Sequence, residues 1–104
     1  MDDNRSVTFD EFKRTTAADR PPEELSPALR ALWHDAKGDW EAAHQTAQDL
    51  DEADGAWIHA YLHRKEGDLG NAAYWYRRAK KADCRASLEA EWEQIATALL
   101  AAQR

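Results

Sequence analysis

Four histidines, His34, His44, His59 and His63, are the residues of this chain whose type and spacing suit chemistry best. His59 and His63 are four apart, so on a helix they share one face. Imidazole nitrogens ligate Zn, Ni, Cu and Fe, and an i,i+4 pair is a common half-site. Hairpin geometry brings the other two near. With a turn centred near Glu52, His44 lies across from Ala60, at a height between His59 and His63. With an earlier turn centred near Gly38, His34 lies across from Ala43 and His44. Glu66, one turn past His63, offers an oxygen. Against this, the fuller H-E-x-x-H pattern is absent. Packing is the stronger explanation: His34 and His63 hold equivalent places 29 residues apart, as expected of rings that fill the gap between paired helices and give an N–H to a backbone or carboxylate oxygen. The sequence therefore predicts no bound metal and no cofactor, with His34, His44, His59 and His63 as the alternative ligand set.

Other chemistries find no support. There is no glycine-rich phosphate loop and no G-x-S-x-G, so no catalytic residue is assigned and no enzyme activity is expected. Cys84 is the only cysteine, which excludes an intramolecular disulfide and a cysteine-based zinc site and suits a reducing compartment. Glu89 and Glu93 read as an exposed acidic face. The net charge of −6 argues against nonspecific nucleic-acid binding. The run from Ala73 to Arg78 mixes aromatics with bases, but its three aromatics point in different directions on a helix and form no single stacking platform. Charge is uneven: residues 1–55 hold 14 acids and 6 bases, whereas residues 64–85 hold 7 bases and 3 acids. No apolar run approaches the roughly 20 residues that span a membrane, and the acidic start lacks a signal-peptide pattern. A cytoplasmic location is expected.

The elements that must position these residues are helices. Val occurs once and Ile twice in 104 residues, whereas Ala is abundant, so material for a sheet is lacking. The chain is long enough for one domain. Residues 1–24 read as a polar lead, a short helix capped by Thr8 that carries Phe9 and Phe12, and a linker at Arg20-Pro21-Pro22. Ser26-Pro27 starts a helix with Leu29, Leu32, Trp33 and Ala36 on one stripe, and Lys37-Gly38 stops it. Asp39 caps the next helix, striped by Trp40, Ala43, Ala47 and Leu50. Residues 51–55 form a turn. A third helix shows Trp57, Ala60, Tyr61 and Arg64 on one side and Ile58 and Leu62 on another. Gly67 stops it, and Asp68 caps a fourth with Leu69, Ala72, Ala73, Tyr76 and Ala79. The last helix is expected over about 85–102, striped by Leu88, Trp92, Ile95 and Leu99.

The two central helix pairs repeat each other. At an offset of 29 residues His34 matches His63, Gly38 matches Gly67, Asp39 matches Asp68 and Ala43 matches Ala72. A helix, a Gly-Asp turn and a second helix, repeated, make a helical solenoid. The second unit, about 54–81, resembles a tetratricopeptide repeat: Ala60, the Gly67-Asp68-Leu69 turn, and Ala72, Tyr76 and Ala79 fall where that family has its small residues, turn and aromatic. The first unit, about 25–51, is similar through Ala31, Gly38-Asp39-Trp40, Ala43, Ala47 and Leu50. The period is shorter than the family's roughly 34 residues, its helix-ending proline is missing, and two units are fewer than the usual three or more. His34 and His63 stand where an aromatic is common, and His59 where Leu is common. The run 59–79 is also similar to short bacterial proteins of no assigned activity.

The resemblance implies an all-α, right-handed stack of antiparallel helix pairs over residues 25–104, about five helices plus the short N-terminal one, closed by the C-terminal helix. It implies a concave groove lined by the first helix of each unit. The matching positions are Leu32 and Asp35 in the first unit and Trp57, Tyr61, Arg64 and Lys65 in the second. Aromatic area beside two bases would hold an extended acidic peptide. The expected function is a non-catalytic scaffold for a protein or peptide, with homodimerisation as a further way to cover its apolar faces. The alternative is a small-ligand or metal-binding protein built on the histidines.

Overall fold

The computed structural model describes residues 7–50 and 53–102; residues 1–6, 51–52 and 103–104, which include most of the polar lead and the centre of the expected turn near Glu52, lie outside. Six helices and no strand occur among the described residues: α1 (Phe9–Thr15), α2 (Pro27–Ala36), α3 (Trp40–Gln48), α4 (Ala53–Glu66), α5 (Leu69–Ala79) and α6 (Leu88–Ala102). None of them is long and apolar enough to cross a membrane.

The helix ends follow local chemistry. Thr8 and Glu11 form a reciprocal capping box at α1. Ser26 accepts from the Leu29 N–H with Pro27 at the first helical position of α2. Asp39 and Asp68 cap α3 and α5 by accepting from the N–H groups of Ala42 and Asn71. The two turns between paired helices are the same object. Gly38 and Gly67 take left-handed φ values of 84° and 92°. The Asp39 N–H bonds the His34 carbonyl at 3.0 Å, and the Asp68 N–H bonds the His63 carbonyl at 2.9 Å. This is the Schellman geometry that lets a helix stop and reverse within three residues. It makes a hairpin of α2 and α3 and another of α4 and α5.

Helix α4 is the centre of the molecule, packing on α2, α3, α5 and α6. Its two apolar sides in the sequence have this cause. Ala43 and Ala47, fully buried, let α3 lie close to its neighbours. Gly55 marks a close approach of α4 to the end of α3 and the residues just after it, where a Cβ would stand 2.6 Å from the Leu50 Cβ and 3.3 Å from the Ala47 carbonyl.

Helix α6 packs on α4, α2 and α1. Its start is three residues later than the sequence suggested, because Ser87, not Arg85, provides the cap by accepting from the Ala90 N–H. The Trp92 indole donates to the Leu32 carbonyl at 3.1 Å, the Phe12 ring stacks on it at 5.5 Å, and Phe9 meets its edge. The N-terminal segment is thereby part of the core: Phe12 is fully buried with Leu29, Leu32, Ile58, Leu62 and Ile95. The Trp33 indole and the Lys37 ammonium tie the end of α1 to α2 through the carbonyls of Thr15, Thr16 and Ala18.

Candidate metal centre

His59 and His63 project from consecutive turns of α4, and His44 reaches them from α3. Their potential ligand atoms all lie within 4.8 Å of one another. His59 and His63 are buried, and His44 is half-buried. Aromatic walls hold the rings. His44 lies flat on Trp40 at 4.8 Å and meets His59 and His63 edge-on. His59 lies flat on Trp75 of α5 at 4.1 Å. Trp40 is itself fixed by donating its indole N–H to the Leu62 carbonyl.

Each buried imidazole of α4 has one nitrogen occupied. The Nδ1 of His63 donates to Glu66 Oε1 at 2.8 Å. The His59 ring bonds the Gly55 carbonyl. A ring that gives one N–H to a carboxylate or carbonyl keeps a lone pair on its other nitrogen, which is how metal-bound histidines are oriented. Burial, reinforced by His44 and His63, lowers the His59 pKa to about 4, and burial followed by the nearness of His63 lowers that of His44. At neutral pH both are neutral imidazoles, the form that ligates. The three rings open on a cleft of about 680 Å³, whose far wall is Asn71, Tyr74, Trp75 and Arg78 of α5.

His34 is outside this group. Although it matches His63 in the repeat, it sits half-buried against the edge of Trp33. Glu66, read from the sequence as an added oxygen ligand, bonds His63 Nδ1 and, with Asp68, forms a second and more exposed group of possible ligand atoms around that ring. The α5 wall went unread, although Asn71, Tyr74, Trp75 and Arg78 stand at helical i, i+3, i+4, i+7 spacing.

The residues assigned to a peptide groove are engaged within the chain. Tyr61 and Lys65 both donate to the buried Asp35 carboxylate, each at 2.8 Å. Arg64 donates to the fully buried Glu91 at 2.8 Å and also to the Ala86 carbonyl, and the Tyr76 hydroxyl completes Glu91 at 2.6 Å. Burial, followed by the adjacent carboxylate, holds both phenols above their ordinary range. Trp57 stands apart from these groups, half-buried under the Lys81 ammonium. Leu32 is fully buried. A second cleft, of about 400 Å³, is lined by Asp35, Tyr61 and Lys65 together with Phe9 and Trp92.

Comparison with protein-family models, with curated proteins and with solved structures gives no match. The tetratricopeptide likeness therefore rests on the residues and turns described above.

Proposed function

We propose that this chain binds a divalent transition metal, Zn²⁺ foremost, through His44, His59 and His63. The observation that carries the proposal is the gathering of three ligand atoms within 4.8 Å of one another in a partly buried cleft. Nitrogens on a tetrahedral zinc stand about 3.4 Å apart, so side-chain rotations on the order of an ångström close the site. Three neutral imidazoles suit zinc, copper and nickel and offer little to magnesium or calcium, which take oxygen. The Glu66–His63 pair supports the same assignment, because a carboxylate behind a ligating imidazole raises its basicity and fixes its tautomer.

The peptide-scaffold alternative has less support. The two Gly-Asp turns favour treating the hairpins as repeated units of the tetratricopeptide kind. Yet α6 lies on the faces of α2 and α4 that would form the groove, and Asp35, Tyr61, Arg64 and Lys65 are bonded inside the chain. A peptide would have to compete with Glu91 of α6 for Arg64 and with the internal bonds to Asp35 for Tyr61 and Lys65.

The test uses tag-free protein stripped with chelator and refilled with Zn²⁺. One metal per chain by elemental analysis is expected, with a higher melting temperature. Free metal at about 100 times Kd stabilises a folded state by about 2.7 kcal/mol. The pair His59→Gln and His63→Gln, folded by circular dichroism, should lose both effects. Equal zinc content in wild type and double variant would refute the assignment.

A further inference from the structure

A divalent ion on three neutral imidazoles keeps its full double charge, since no member of the set is anionic. Of the carboxylates beside the histidines, Glu66 is engaged with His63 Nδ1, Asp68 caps α5, and Glu41 stands near His44; none of them lines the cleft. Among the described residues that line the cleft there is no Asp or Glu, and the charged side chain present is a cation, Arg78. Its guanidinium lies 5.4 Å from the Trp75 ring centroid and 5.8 Å from that of Tyr74, and its Nη1 donates to the Tyr74 hydroxyl at 3.2 Å. Among the described residues no carboxylate forms an ion pair with it. Four of its five N–H donors are left for another acceptor. Trp75 orders both parts of the cleft, because it stacks on His59 and also lies beside the guanidinium. Asn71, on the same face of α5, gives one amide hydrogen to Asp68 Oδ2 at 3.5 Å and keeps the other. Three protein ligands leave the fourth place of a tetrahedral ion open, as in metal sites that take an exogenous ligand.

We propose that this fourth place accepts a small oxyanion, a carboxylate or a phosphate-type group, with one anionic oxygen on the metal and another on Arg78. The proposal rests on the metal assignment above. A cleft of about 680 Å³ has the size of a small-molecule site. A forked guanidinium facing a carboxylate or phosphate is the geometry in which arginine exceeds lysine.

The experiment uses the full chain loaded with Co²⁺, whose visible bands report coordination. Cobalt content is measured in each sample, so that anion affinity is scored on loaded protein. Acetate and sulfate are titrated separately, as probes of the carboxylate and the tetrahedral-oxyanion classes. At least one should shift the bands saturably, and Arg78→Gln should weaken that binding about tenfold or more, the range of a charge-assisted bond. The probe that binds identifies the class. Cobalt-loaded protein that ignores both anions, or an Arg78→Gln variant that binds them as wild type does, overturns the oxyanion site and leaves the metal site standing. Failure of the chain to take up cobalt at all overturns both.

Discussion

His59 is where the burial of a titratable ring has the most direct consequence. It lies between Trp75 and the rings of His44 and His63, and its pKa falls from 6.5 to about 4. The folded, metal-free protein thus refuses a proton that the unfolded chain accepts below pH 6.5. Above that pH His59 is neutral in both states and adds no pH dependence. As pH falls from 6.5 toward about 4, the unfolded state is progressively favoured, by up to about 3 kcal/mol, and the effect levels off below. Denaturant midpoints measured for wild type and His59→Gln between pH 7.5 and 4 should diverge in that window, with the variant losing less. Parallel curves would show that His59 is solvated. The i,i+4 pair and its partner His44 were legible from spacing and hairpin geometry alone. Trp75, Asn71 and Arg78 were not, because the face a helix turns toward a site depends on how it packs, and α5 carries aromatics on several sides.

The turns between paired helices were legible because glycine and aspartate each have a local physical task there. Gly38 and Gly67 adopt φ values that L side chains rarely take, and Asp39 and Asp68 satisfy the first N–H groups of the helices that follow. The task of Gly55 is different and was hidden within the expected turn over 51–55. It sits inside α4 with an ordinary helical φ, and its missing Cβ is what lets the end of α3 approach: a methyl there would meet the Leu50 Cβ at 2.6 Å and the Leu50 carbonyl at 2.9 Å. Gly55→Ala normally helps an exposed helix, by up to about 1 kcal/mol. Here backbone and Cβ atoms must move, so the substitution should instead cost about 1–3 kcal/mol. It should also weaken zinc binding, since His44 and His59 lie on the two helices being pushed apart. Equilibrium unfolding and a zinc titration of the variant check both effects. A more stable Gly55→Ala protein would mean that α3 and α4 do not approach this closely.

At the scale of the whole molecule, the sequence predicted helices and their pairing but not what the last helix covers. An apolar stripe such as Leu88, Trp92, Ile95 and Leu99 says that a face is buried, not against what. The tetratricopeptide likeness suggested a closing helix for the stack. In the structure α6 packs on α2 and α4 and is held there by α1, with Trp92 stacked on Phe12 and bonded to the Leu32 carbonyl. The neighbouring Glu91 accepts from Arg64 of α4 and Tyr76 of α5. One turn of α6 therefore joins four other helices, which two repeat units alone would not hold together. Trp92→Ala removes the indole at that junction and should cost about 3–5 kcal/mol, a large part of the 5–15 kcal/mol typical of a whole domain. Denaturant unfolding of the variant measures this loss. Zinc content per folded chain should be retained, because the histidines reach their cleft from α3 and α4 with α5 as its far wall. A loss below about 1 kcal/mol would have a different meaning. It would show that α6 rests lightly on α2 and α4, leaving the Tyr61 and Arg64 face open to an incoming peptide. Tyr61→Ala and Arg64→Glu would then be the variants to compare in peptide binding, and the scaffold reading would regain the lead.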